Sequence, residues 1–86
     1  MDSRVAVVAI IVENQECAQK INEILHQYAP FIIGRMGIPY AKRKISVICV
    51  VVDAPQNEIS ALSGKLGRIQ GANTKVLYSR REENND

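Results

Sequence analysis

Two short stretches restrict the fold more than any other feature: Val5-Ala-Val-Val-Ala-Ile-Ile-Val12 and Ile45-Ser-Val-Ile-Cys-Val-Val-Val52. Both are rich in β-branched residues and apolar at odd and even positions alike. A strand with one wet face alternates, whereas a strand apolar on both sides expects cover on both. Neither run is long enough to span a bilayer as a helix. The first follows Arg4, but Glu13-Asn14-Gln15-Glu16 comes at once with no small-residue cleavage site, so it does not read as a secretory leader. The chain has only 86 residues to cover four strand faces. A domain of this size buries roughly 60–65% of the surface its unfolded form exposes, so burial in an oligomer would add appreciably to its stability.

The remaining segments fall between these two strands and after them. Asn14 is a good N-cap, and Glu13 and Glu16 suit the positive end of a helix from about Gln15 to Tyr28. Its apolar residues Cys17, Ala18, Ile21, Ile24, Leu25 and Tyr28 fall within an arc of about 120°. Pro30 ends it. Phe31–Met36 reads as a second strand, Gly37–Arg43 as a turn or long hairpin loop, and Lys44–Asp53 as the third strand. Ala54-Pro55 opens a second helix through Ile59, Leu62, Leu66 and Ile69. Asn73–Arg80 closes the pattern as a strand, giving one domain over residues 1–81 and a flexible polar tail over 82–86.

The order βαββαβ is that of an α+β, ferredoxin-like sandwich: a four-stranded antiparallel sheet with two helices on one face. Strands one and three then lie in the centre and strands two and four at the edges. Pro30 and Pro39 flank the second strand, in keeping with an edge. Both helices cover the same face, yet the central strands are apolar on both. The open face therefore calls for a second subunit that covers it, or for a sheet extended edge to edge, as a dimer or tetramer.

Charge is unevenly spread around a net of +2. Residues 31–51 carry Arg35, Lys42, Arg43 and Lys44 without an acid, and residues 60–81 carry Lys65, Arg68, Lys75, Arg80 and Arg81 without one. Such a field attracts anions, although solvated basic edges are the simpler reading. Lys42-Arg43-Lys44 suggests a nucleic-acid edge, but strands one and three lack the aromatics on which bases stack in domains of this topology. At most it supports weak, salt-sensitive phosphate binding, so nucleic acid is a disfavoured partner. Cys17 and Cys49 have no disulfide or metal spacing and read as reduced, buried thiols of a cytoplasmic protein. His26 stands far from the centre of the first helix's apolar arc, facing solvent and away from Cys17. No metal or cofactor is expected. Ser60 and Ser63 have no base partner, so the chain reads as non-catalytic.

Ser63-Gly-Lys-Leu-Gly-Arg-Ile-Gln-Gly71 looks at first like a phosphate loop. It is not one by pattern, because Gly64-Lys65 is followed by Leu66 and the segment falls late in a helix rather than before one. The glycine spacing is also wrong for GxGxxG. Ser60, Gly64, Gly67 and Gly71 instead form a stripe at i, i+4, i+7 and i+11. An interior glycine costs roughly 1 kcal/mol relative to alanine, so Ser60, Gly64 and Gly67 suggest a close approach by the first helix, another subunit or a ligand. Gly71 suits the helix C-cap.

Together with "VAIIVEN" and "GRMGIPY", the stretch "ALSGKLGRIQGANTKVLYSR" resembles the iron-only hydrogenase system regulators, over about residues 4–80. These are small proteins related to ACT domains and to the C-terminal domain of nickel-responsive regulators. The resemblance implies an ACT-like βαββαβ domain that forms dimers or higher oligomers. The leading functional expectation is a regulatory domain that senses a small molecule. Its expected site is an inter-subunit crevice near Glu13, Asn14, Gly34, Arg35, Gly37 and Tyr40. Nickel-responsive regulators use several His and one Cys, but this chain has His26 alone, which argues against metal. ACT domains carry a glycine after strand one, where this chain has Glu13-Asn14-Gln15. No ribbon-helix-helix segment precedes strand one, so regulation of transcription would run through a partner protein. The alternatives are a weak nucleic-acid or anion-binding module using the 42–44 edge, and a pure assembly protein without ligand.

Overall fold

The computed structural model describes residues 3–80. The elements are β1 (Arg4–Val12), a 3-10 turn (Gln15–Cys17), α1 (Ala18–Gln27), a second 3-10 turn (Ala29–Phe31), β2 (Ile32–Tyr40), β3 (Ile45–Ala54), α2 (Gln56–Gly67) and β4 (Ala72–Tyr78). The strands form one antiparallel sheet in the order β2-β3-β1-β4. The ferredoxin-like βαββαβ arrangement is as expected, with the two doubly apolar strands in the centre. The expected tail at 82–86 lies outside the described residues.

Strand alternation divides the central strands between two environments. Ala6, Val8, Ile10 and Val12 of β1 face the helices, as do Ile48, Val50, Val52 and Ala54 of β3; all are buried. They meet Ile21, Leu25 and Tyr28 of the first helical segment and Ile59, Leu62 and Leu66 of α2 in one core. Among the described residues no polar or charged side chain is buried there. The apolar arc of the first helix is therefore the buried one, and His26 is exposed.

Three sequence expectations are corrected. The first helix begins as a 3-10 turn, in which Asn14 Oδ1 accepts from Glu16 N–H at 2.9 Å, and becomes α-helical only from Ala18. Gly37–Tyr40 is strand, not loop: Gly37, Ile38, Pro39 and Tyr40 pair with Ile48, Val47, Ser46 and Ile45. Pro39 is tolerated because β2 is an edge strand. The hairpin turn is only Ala41–Lys44, with Lys44 at φ 59°. Finally, α2 ends at Gly67 with Arg68 as its C-cap, so Gly71 does not cap it.

Gly71 has a different task. At φ +91° it turns the chain into β4, and its carbonyl accepts from both Glu13 N–H (2.7 Å) and Asn14 N–H (3.2 Å). This ties the loop leaving β1 to the loop entering β4. At the other end of the sheet Arg4 lies 4.4 Å over the Tyr78 ring and donates to Gln56 Oε1 (2.7 Å) and the Ser79 carbonyl (3.1 Å). Gln56 Nε2 in turn donates to Tyr78 Oη at 2.7 Å. The starts of β1 and α2 and the end of β4 are thus joined by one polar cluster.

Candidate functional site

The face of the sheet away from the helices is a continuous apolar surface. Reading across the register from β2 to β4, one row is Met36, Cys49, Ala9 and Lys75, and the next is Ile38, Val47, Ile11 and Asn73. On one side of these lies Gly34, Val51, Val7 and Leu77; on the other, Tyr40 opposes Ile45. Polar groups are confined to the rim, with Lys75 and Asn73 on edge strand β4 and Asp53 at a corner. Leu77 is 72% exposed, Met36 54% and Tyr40 47%. In projection the face spans about 500 Å², from the strand spacing and the rise per residue. That is already at the scale of the largest apolar patch on a typical monomer. Cys49 sits half-buried in its middle, not in the core as expected, whereas Cys17 is buried.

The helix side carries three depressions. One, about 930 Å³, spreads over the exposed face of α1 and is lined by Gln19, Asn22, Glu23 and His26 among others. Another, about 900 Å³, runs between the start of the first helical segment and the end of α2. Its lining includes Asn14, Cys17, Lys20 and Ile24 on one side and Lys65, Arg68 and Ile69 on the other. The smallest, about 290 Å³, lies between α1 and β2 and is lined by Asn22, His26, Ala29 and Arg35 among others. There the Arg35 guanidinium donates to Asn22 Oδ1.

These features place the six expected ligand residues in three settings. Glu13 and Asn14 lie at the end of β1 beside Gly71, and Asn14 also lines the depression between the helices. Arg35 lines the smallest depression, between α1 and β2. Gly34 and Tyr40 lie on the open face, Gly34 near one end of β2 and Tyr40 at the other, and Gly37 opposes Ile48 between them. Within one subunit they form no single site. Among the described residues there is also no group of three or more His, Cys, Asp or Glu placed to hold a metal ion.

The glycine stripe is likewise located. A Cβ built at Gly64 or Gly67 meets nothing within 4 Å, so the first helix does not approach there. Ser60, Gly64 and Gly67 lie on the exposed surface of α2. The close approach is instead at Gly71, where a Cβ would come within 2.6 Å of Asn14 Cβ. The open-face patch was legible from the two-sided strands. The groove between the helices was not, because Lys20 and Arg68 are far apart in sequence and only the packing of α1 beside α2 makes them neighbours.

No helix among the described residues is long and apolar enough to cross a membrane. No curated protein matches the chain. Among solved structures it is similar to the uncharacterized protein TM1266 from Thermotoga maritima, with a TM-score of 0.88 and 30% identity over 92% of this chain and 100% of that one. The family model TM1266-like matches residues 4–76, which include the β1 run, the Gly34–Tyr40 strand and the glycine stretch on which the resemblance rested. The chain therefore belongs to the TM1266-like family, described as "Iron-only hydrogenase system regulator, putative".

Proposed function

We propose that this protein is a non-catalytic regulator that works as an assembly of ACT-like domains, with the open sheet face as its self-association surface. The observation that supports this reading is the continuous apolar character of that face across β2, β3 and β1, reaching β4 at Leu77. A standard interface covers about 800 Å² per partner, and a side-chain layer over about 500 Å² of sheet exposes an accessible area of that order. Burying a Val, Leu or Ile is worth roughly 1.5–3 kcal/mol, so the drive to cover the patch is strong. A second copy matches it in chemistry, being apolar in the middle and polar only at the rim. Lys75 at the β4 edge and Asp53 at a corner give two copies opposite charges to align.

Ligand sensing follows from the same assembly. Tyr40 and Gly34 on the open face become walls of any crevice that forms there, and small-molecule sites favour such junctions. Size-exclusion chromatography with light scattering at micromolar concentration tests the assembly. We expect a mass of at least twice 9.6 kDa, falling to the monomer when Val47→Lys places a charge in the patch. A monomeric native chain overturns the reading. A thermal-shift screen of amino acids, nucleotides and metal ions tests sensing, and a shift lost in the Val47→Lys monomer places the ligand between subunits.

A further inference from the structure

The groove between the two helices has a chemistry that self-association through the sheet does not use. Its floor is apolar, made by Cys17, Ile24 and Ile69, of which Cys17 and Ile69 are buried. Its walls are cationic: Lys20 stands on α1, and Lys65 and Arg68 stand at the end of α2. Glu16 is the one acid in the lining, leaving three cations against one carboxylate. Lys65 is held in place, donating to Gln27 Oε1 at 3.3 Å and lying 5.0 Å over the Tyr28 ring. Among the described residues the structure pairs none of these three cations with a carboxylate; the partners of Lys65 are the neutral Gln27 and the Tyr28 ring. The basic residues of the Ser63–Gly71 stretch thus belong to a groove and not to a scattered flank.

From this geometry we propose that the groove receives an acidic segment of a partner protein, in which an apolar anchor is flanked by carboxylates. Charge complementarity selects the sign of the partner, and the floor selects the anchor. The breadth of the groove selects a polypeptide over a small molecule. Asn14, Glu16, Lys20, Lys65, Arg68 and Gln70 are all exposed, so the trough lacks the enclosure that buries 70–90% of a small ligand. Nucleic acid fits less well, since no exposed aromatic lines the walls for stacking. Gly64, one turn before Arg68 on α2, has open space above it and leaves room for a partner's backbone. The groove lies on the far side of the sheet from the self-association face, so the two proposals stand or fall separately.

The test uses a fluorescein-labelled peptide with a central leucine-phenylalanine pair flanked by glutamates, and a counterpart with glutamines in their place. Fluorescence anisotropy is measured with the full chain and with two charge-reversed forms. One is Lys20→Glu with Arg68→Glu in the groove; the other is Lys42→Glu with Lys44→Glu in the β2–β3 turn. We expect the glutamate peptide to bind at least about tenfold more tightly than the glutamine one. The groove variant should lose that preference and the turn variant keep it. Amide shifts in NMR spectra of the native chain should centre on Lys20, Ile24, Lys65 and Arg68. All four substituted residues are exposed, and circular dichroism melts verify that both variants fold. Absence of binding by the glutamate peptide overturns the proposal, as does equal binding by the groove variant. Shifts centred on Val7 and Val47 overturn it too. So does a single-stranded oligonucleotide that displaces the peptide from the groove.

Discussion

Ile10 and Ile11 are neighbours of the same type on the same central strand, yet they belong to different surfaces. Ile10 is fully buried beneath the helices, and Ile11 points to the open face with 36% of its surface exposed. The same contrast runs along β3, where Ile48 and Val50 are buried and Val47 and Cys49 are half-buried. One face of the sheet is thus completed by the chain's own helices. The other has the composition of a core without the second layer. The difference separates residues that make the domain fold from those available to join it to something else.

That separation is open to a direct attack. Ile10→Ala should destabilise the chain by about 2–5 kcal/mol, at any protein concentration, because it leaves a cavity in a closed core. Ile11→Ala should cost about 1 kcal/mol in dilute solution, and more as concentration rises and the open face becomes covered. Denaturant unfolding at two concentrations a hundredfold apart measures both. Equal, concentration-independent losses would erase the distinction between the faces. The Val47→Lys exchange sharpens it: dissociation should rise at least about tenfold with little change in the monomer's own unfolding.

Gly71 tests whether the helix side is held as rigidly as the closed core implies. Gly71→Ala should destabilise by about 1–3 kcal/mol, from the positive φ and from the contact with Asn14 Cβ. Asn14→Gly in the same chain removes the contact but not the backbone strain, so thermal unfolding of the pair should recover only part of the loss. The smallest effect is expected on the outer surface of α2. Gly64→Ala should stabilise by about 1 kcal/mol, since nothing lies near the added methyl and alanine is the better helix former. A loss of oligomer mass in that variant would move the self-association surface from the sheet to the helices.

The strands β1 and β3 were legible because their two-sided apolar pattern leaves few places in a small domain where they can sit. The first helix's buried arc was legible from spacing alone. The end of β2 was misread because Gly37 and Pro39 carry the marks of a loop, and only pairing with β3 overrides them. The Gly64–Gly67 stripe suggested packing because interior glycine is costly, but spacing cannot tell a neighbour within the chain from one outside it. Gly71 was recognised as special and given the wrong task, since its partners Glu13 and Asn14 lie at the opposite end of the chain. The candidate site was least legible, for its residues come from separate elements and its charges meet only across α1 and α2.

The two central strands also set a hazard that exists before the sheet does. Val5–Val12 and Ile45–Val52 are uncharged, β-branched and free of proline, the makings of intermolecular cross-β stacking in an unfolded chain. Each is bracketed by opposite charges: Arg4 and Glu13 around the first, Lys44 and Asp53 around the second. Those four residues act as gatekeepers, interrupting any stack of like strands at both ends. The pattern that lets this small chain build a sheet with a spare apolar face also makes it dependent on a few flanking charges to reach that sheet without aggregating.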